Sequence, residues 1–307
     1  MEMKTDSKDI KTDEQRQADE TTVPGLEYID THFHIWDLDR FSYPWPTKDL
    51  RPLYRNVTLS EYNKEAKKSG VAGAIFVQVL NNSIEETKWI LSQCSEFPIL
   101  KGVVGGLDLT NLELESQVKE LKHFPQFVGV RHILDFEDEA WLTRPDVHQG
   151  LQVLQENGLV FDLLLRPHLL KYVPDVVAAF PRLTFVVNHI AKPFIKDNKM
   201  EGWKESMERI ASHPNVYCKI SGLVTEADLE NWKTDDFRPY IEHIFGIFGE
   251  DRVMFGSDWP VCRLAHAEYN DVTKVAESLT SSWPLPARRK FFRENAIKIY
   301  NIDVFAS

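Results

Sequence analysis

The stretch "YIDTHFHIWD", residues 28–37, places His32 and His34 two positions apart in a run with the pattern of a β-strand. Successive strand residues point to opposite faces, so the two imidazoles share one face. Outward from this stretch, short apolar, β-branched runs alternate with charged segments of helical period. The strand candidates are "EYIDTHFH", "VAGAIFVQV", "ILKGVVGGL", "FVGVRHIL", "LVFDLLLRP", "LTFVVNHI", "NVYCKISG" and "RVMFGSD". Between them lie helix candidates such as "LSEYNKEAKKSG", "SIEETKWILSQC", "LELESQVKELKHF", "DVHQGLQVLQENG" and "WKESMERIASH". Gly70 and Gly158 fall where a helix stops and the next strand begins. Strand–helix alternation implies a parallel sheet with right-handed crossovers, and eight such units match a (β/α)8 barrel better than an open sheet. The expected fold is α/β, a single TIM-type barrel over residues 26–307.

Residues 1–25, "MEMKTDSKDIKTDEQRQADETTVPG", are charged and almost free of large apolar side chains, which predicts a disordered polar tail. They contain no hydrophobic stretch of the secretory type. The 307-residue chain is 43% hydrophobic and 11% aromatic, ample for a sizeable core. Its formal charge of -11 argues against nucleic acid or an anionic membrane as partner, since both select a basic surface. No apolar run approaches the roughly 18 residues of a membrane span. The three cysteines, Cys94, Cys218 and Cys262, are odd in number and form no CxxC pair, which points to a reduced, cytoplasmic protein. A small molecule is the expected partner; a homo-oligomer stays open.

In a barrel, alternate strand residues face the axis, and active sites sit at the strands' C-terminal ends. The parity that leaves an apolar face for the helices turns Asp30, His32 and His34 inward, with Ile29, Thr31 and Phe33 outward. It turns Gln78 inward, Arg131 inward with Val128 and Val130 outward, and Asp162 and Arg166 inward with Phe161, Leu163 and Leu165 outward. It turns His189 inward if Asn188 faces out, Lys219 and Ser221 inward with Cys218 and Ile220 outward, and Asp258 inward. Seven strands thus contribute to one polar cluster, which is costly to bury unless each group is paired or used. A structural ion pair such as Lys219 with Asp30 is the plainer alternative.

His32, His34, His189 and Asp258 are a donor set for one divalent metal, zinc by ligand type. Without metal, the imidazoles would donate to a substrate carbonyl oxygen while Asp258 takes a proton from water. Arg131 and Arg166 suit a substrate carboxylate or hydroxyls, with an internal Arg166–Asp162 pair as the alternative. Trp36 and Trp259, just past two of these strands, are candidates to stack on a sugar ring or to pack a lid. Of the remaining histidines, His168 sits in the loop past the fifth strand; the others fall on helices, loops or outward parity.

Several stretches together resemble the amidohydrolase superfamily, in the amidohydrolase-2 branch of L-fuconolactonases, L-rhamnonolactonases and 2-pyrone-4,6-dicarboxylate lactonases. They are "IDTHFHIWD" with "YPW" after it, "GVRHIL", "WLTRPDVHQGL", "FDLLLRP", "VVNHIAKP", "VYCKISGLVTEAD", "MFGSDWPVC" and "ENAIKIY". The resemblance implies a distorted barrel that hydrolyses a lactone ring. It assigns His32, His34 and His189 to the carbonyl or a metal, Asp258 to activating water, and Arg131 to the substrate. Members with two metals close strands 4 and 5 with a carboxylated Lys or Glu and a His. Arg131 and Arg166 stand near those places here, so one weakly held zinc, or none, is expected. Asn188 stands where the branch usually has Asp, which removes a charge beside His189.

The leading expectation is a lactonase for an aldonolactone of a six-carbon or deoxy sugar, with Gln78, Arg131, Lys219 and Ser221 binding hydroxyls. A dicarboxylate pyrone would want several converging cations; Arg131, Arg166 and Lys219 leave it open but less favoured. The alternatives are a metal-dependent decarboxylase of an aromatic or enoic acid, for which His168 is a distant ligand candidate, and a barrel that binds without catalysis. The intact set of three histidines and Asp258 argues against the last.

Overall fold

The computed structural model describes residues 27–304; the predicted tail, residues 1–25, lies outside the described residues. Eight strands alternate with helices: β1 Tyr28–Phe33, α1 Leu59–Lys68, β2 Val71–Val77, α2 Ile84–Ser92, β3 Leu100–Gly105, α3 Leu114–Leu121, β4 Phe127–Ile133, α4 Pro145–Glu156 and β5 Val160–Leu164. There follow α5 Val173–Ala179, β6 Thr184–Val187, α6 Trp203–Ala211, β7 Val216–Ile220, α7 Thr234–Phe248, β8 Val253–Phe255, α8 Tyr269–Leu279, α9 Leu285–Arg289 and α10 Asn295–Tyr300. The strands are parallel and neighbour one another in chain order. No ladder joins β8 to β1. That seam closes just past the strand ends, where Asp258 N donates to His32 O (2.7 Å) and His34 N to Trp259 O (2.8 Å).

Local chemistry fixes the helix ends. Thr58 caps α1 by accepting from Glu61 N, and Ser83 caps α2 by accepting from Glu86 N. Gly70, at φ +75°, turns the chain from α1 into β2. No helix among the described residues is long and apolar enough to cross a membrane, and all three cysteines are free thiols.

Two apolar layers sandwich the sheet. The outer one, between sheet and helices, takes Phe33, Phe76, Phe127, Phe161, Phe185, Val216 and Phe255. The inner one lies on the barrel axis and joins Ile29, Ile75, Val77, Val104, Val128, Val160, Val186 and Met254 to Ala296, Ile299, Tyr300 and Ile302. The chain's last helix therefore plugs the barrel beneath the strands. Burial of each large side chain there contributes roughly 1.5–3 kcal/mol.

Strict alternation fails at three places. Ile29, expected outside, lies in the inner layer, and Asp30, expected inside, bonds Tyr62 of α1 and Tyr269 of α8 in the outer one. The β1–β2 register shifts between Asp30 and Phe33, which returns His32 to the interior. Val128, expected outside, lies inside because Phe127 and Gly129 oppose consecutive residues of β3, leaving Val128 as an extra residue. Asn188 faces in rather than out: its Nδ2 donates to Asp162 Oδ2 at 2.9 Å.

The ion pair at the barrel's centre differs from the one named as the plainer alternative. Lys219 pairs with Asp162 (2.6 Å) rather than Asp30, and both are fully buried. Tyr300 OH donates to the other Asp162 oxygen at 2.8 Å. With Lys219, Asn188 and Tyr300 all donating to it, Asp162 is the paired and hydrogen-bonded carboxylate that a dry interior requires.

Candidate active site

Beyond the plug, the ends of β1, β6, β7 and β8 converge. Asp258 follows β8 in a left-handed turn (φ +55°), and its Oδ1 lies 3.2 Å from His34 Nε2, 3.7 Å from His189 Nε2 and 3.8 Å from His32 Nε2. All four residues are at most 3% exposed. His34 Nδ1 lies 2.7 Å from the carbonyl oxygen of Val77. A carbonyl can only accept, so Nδ1 carries the proton and Nε2 turns a lone pair toward the carboxylate. His32 Nε2 is within 3.2 Å of the Arg131 Nη1 donor, and His189 Nδ1 is 2.8 Å from Ser221 Oγ.

Burial holds the His32 imidazole well below its ordinary value, aided by nearby positive groups. Burial likewise lowers His34, and it takes His189 to about 3 although Asp258 opposes the shift. Burial alone would raise the Asp258 carboxyl, but His189, His34 and the Lys192 ammonium around it outweigh burial and keep the group below the usual carboxylate value. Burial thus resists protonation of the imidazoles, and the surrounding groups favour the ionised carboxylate.

Lone pairs and a carboxylate oxygen converging in a dry site repel one another unless a cation or proton lies among them. The ligand atoms of His32, His189 and Asp258 all fall within 4.8 Å of one another. Donors 2.0–2.1 Å from a tetrahedral zinc would stand about 3.4 Å apart, close to the separations from Asp258. These residues therefore fit a divalent metal. His34 reaches the group through its contact with Asp258.

The backbone around the centre is held under strain. His189, Ile190, Ala191 and Lys192 run consecutively at φ between +47° and +59°, although none is glycine. Such a conformation costs about 1–2 kcal/mol per residue. It persists because Trp203 Nε1 donates to Ile190 O (2.7 Å), Lys192 N to His189 O (2.8 Å) and Lys192 Nζ to Glu226 (2.6 Å). Strain stored here aims His189 at Asp258 and Lys192 into the cavity.

Asp30 holds the seam from behind. It accepts from His32 N (3.0 Å), Ser257 N (2.8 Å), Ser257 Oγ (2.6 Å), Tyr62 OH (2.9 Å) and Tyr269 OH (2.9 Å). It thus anchors the backbone of His32 and of the residue preceding Asp258. Asp30→Asn turns an amide N–H toward some of these donors and should destabilise the fold by about 2–3 kcal/mol. Urea titration checks this: an unshifted midpoint would mean the seam closes without the carboxylate.

A cavity of about 320 Å³ opens over the centre, lined by His34, Arg131, His189 and Asp258 at its base. Its walls include Trp45, Leu80, Phe136, Arg166, Lys192 and Glu226. A wider groove of about 760 Å³ lies at the opposite end of the barrel, among Lys67, Lys101 and Arg293. It contains no histidine, so chemistry rather than size identifies the site.

Arg131, lowered by burial to about 10, remains a cation; it donates to the Gln78 carbonyl oxygen while Gln78 Nε2 donates to Arg131 O (3.1 Å). Gln78, Lys219 and Ser221 sit beneath the cavity, where they bind Arg131, Asp162 and His189 instead of lining it. Arg166 lines it, paired with Asp135 and Glu226 rather than Asp162. Trp36 and Trp259 are fully buried away from it, correcting their expected place against a sugar. Trp36 instead backs Trp45, which does reach the cavity (centroids 5.8 Å). Lys192 and Glu226 were not singled out from the sequence. The available signal was their position in "VVNHIAKP" and "VYCKISGLVTEAD", directly after two strand ends.

A family profile described as Amidohydrolase matches residues 29–302, nearly the whole described chain. The chain belongs to the amidohydrolase family. This amidohydrolase is 33% identical over 281 residues to L-fucono-1,5-lactonase of Burkholderia ambifaria, covering 90% of this chain and 96% of that protein. It is 26% identical to L-rhamnono-gamma-lactonase of Scheffersomyces stipitis, over 89% and 98% of the two chains. Among solved structures, an amidohydrolase from Burkholderia multivorans with bound zinc superposes with a TM-score of 0.84 at 29% identity, over 90% of this chain and all of that one. Family membership together with these lactonase-named relatives makes the chain a hydrolase.

Proposed function

We propose that this amidohydrolase opens the ring of a sugar lactone, with Asp258 as general base. The observation that carries the reading is the Asp258 carboxylate oxygen 3.2–3.8 Å from three buried imidazoles at the base of a cavity of about 320 Å³. The lactonase names of two relatives, each aligned over most of its length, support it.

In this mechanism Asp258 Oδ2 takes a proton from water as the water oxygen bonds to the lactone carbonyl carbon. Arg131, held by its bond to the Gln78 carbonyl oxygen, presents its guanidinium to the negative charge that develops on the carbonyl oxygen. Protonated Asp258 then returns the proton to the ring oxygen as the carbon–oxygen bond breaks. The product is a hydroxy acid, which loses its acidic proton to solvent. Neutral His34 has its proton on Nδ1, bonded to Val77, so its Nε2 is no donor for a carbonyl. That favours a bound metal over direct imidazole donation. His32, His189 and Asp258 would hold the ion, zinc by donor type, and when bound it supplies Lewis acidity for the carbonyl.

Acid release from a panel of sugar 1,4- and 1,5-lactones tests the activity. Chelator treatment should lower it at least tenfold, with zinc restoring it, if the ion contributes a few kcal/mol to the barrier. Full hydrolysis after chelation would remove the metal and leave the lactonase. Silence across the panel, with or without zinc, would remove the lactonase.

A further inference from the structure

Four charged side chains ring the cavity mouth, one from each chain segment following β4, β5, β6 and β7. Arg166 Nε lies 3.3 Å from Asp135 Oδ2, and its Nη1 lies 3.2 Å from Glu226 Oε2. Lys192 Nζ lies 2.6 Å from Glu226 Oε1. Both oxygens of Glu226 thus face cations, and its side chain is only 10% exposed. Arg166 and Lys192 offer a planar fork and a point charge on one site, the pairing that holds a carboxylate. Here the occupant is the protein's own.

Among the described residues, the side-chain charges of the lining balance. Three cations, Arg131, Arg166 and Lys192, meet three carboxylates, Asp135, Asp258 and Glu226. A ligand carboxylate approaching Arg166 and Lys192 meets Glu226 in its place.

We propose that Glu226 is the specificity-determining residue of this site. It fills an anion subsite formed by Arg166 and Lys192, closing the cavity to lactones that carry a free carboxylate. The inference rests on the lactonase reading and extends it to a residue that decides between two substrate charges. A carboxylate has about four lone-pair positions, so Glu226 keeps acceptor capacity for ring hydroxyls. Asp135 Oδ1, buried without a partner in the same wall, is a second acceptor. Neutral polyhydroxylated lactones satisfy both.

The test compares galactono-1,4-lactone with galactaro-1,4-lactone, which replaces a hydroxymethyl group by a carboxylate. Glu226→Gln keeps the shape and removes the charge. Its kcat/KM for the carboxylated lactone should rise about tenfold through KM, the scale of one charge at a partly buried pair, while that for the neutral lactone falls. The gain should vanish in Glu226→Gln/Arg166→Met and shrink at roughly 1 M salt, where screening is strong. Glu226→Asp, which keeps the charge, should retain the neutral preference. If the Gln variant does not fold, Glu226→Ala gives the same readout.

An unchanged ratio in a variant with the wild-type melting temperature overturns the proposal and leaves the lactonase reading standing. Calorimetric binding of galactaro-1,4-lactone reads the subsite without turnover. Binding to Glu226→Gln but not to wild type supports it even where the wild type hydrolyses no lactone. Equal affinities overturn it.

Discussion

Asp258→Asn is expected to lower kcat for lactone opening by about 10²–10⁴-fold, the usual worth of a positioned general base, with the barrel still folded. The amide is isosteric and cannot accept the proton that water must lose. Folding survives because the seam bond at this residue is made by its backbone, Asp258 N to His32 O. The same electrostatics set the pH profile. With its carboxyl held below the usual value, Asp258 stays ionised through the acid range, and the rate falls only as pH drops through that lowered value. The imidazoles add no limb at their ordinary value near 6.5, since burial lowers all three. An Asn variant with most of its rate, or a wild-type limb between pH 6 and 7, would move the base to an imidazole. Stability carries the matching signature. His189 titrates near 6.5 unfolded and about 3 folded, so its contribution is present above pH 6.5 and is lost as pH falls from 6.5 toward 3.

Gly222→Ala should be nearly as damaging, for a steric reason. Gly222 has φ +61°, and a Cβ there would lie 2.5 Å from His189 Nδ1, 2.8 Å from its Cγ and 3.2 Å from Asp258 Oδ2. The neighbour is a ring already fixed by Ser221 and by the strained turn that carries it, so relief requires His189 to move. Displacement of a catalytic group by about 1 Å costs on the order of 10²-fold in rate. The expected result is a fall in kcat of that size, with about 1–2 kcal/mol of stability lost to the left-handed backbone. Gly70→Ala separates the two effects. Gly70 has φ +75°, but a Cβ there would meet nothing within 4 Å, so it should lose similar stability and keep full activity. Wild-type kcat in Gly222→Ala would mean the orientation of His189 does not matter.

The barrel was legible because its signals are local: apolar β-branched runs, helical periods between them and glycines at the joins. The central quartet was legible because each member closes a strand and carries chemistry seldom buried idly. Facing was legible only where pairing stays in register. A shifted register is invisible in alternation, which is why Ile29, Asp30 and Val128 were turned the wrong way. Asn188 and His189 both enter the barrel because the chain goes left-handed after β6, and no periodicity announces that. Trp36 and Trp259 had the size for a sugar platform, but size does not say which side of the sheet a ring occupies. Lys192 and Glu226 lie past the strands, where their position depends on loop geometry.

The seam between β8 and β1 gives catalysis a second meaning. Asp30 and Ser257, which meet there, are 227 positions apart, and the plug at Tyr300 comes later still. Contacts of such separation are the slowest to form in a folding chain. A nascent polypeptide still on the ribosome therefore has His32 in hand and nothing to set against it. Turnover begins only when the barrel has closed, so the recovery of activity on refolding times the final step of assembly, which helix content or compactness would report too early.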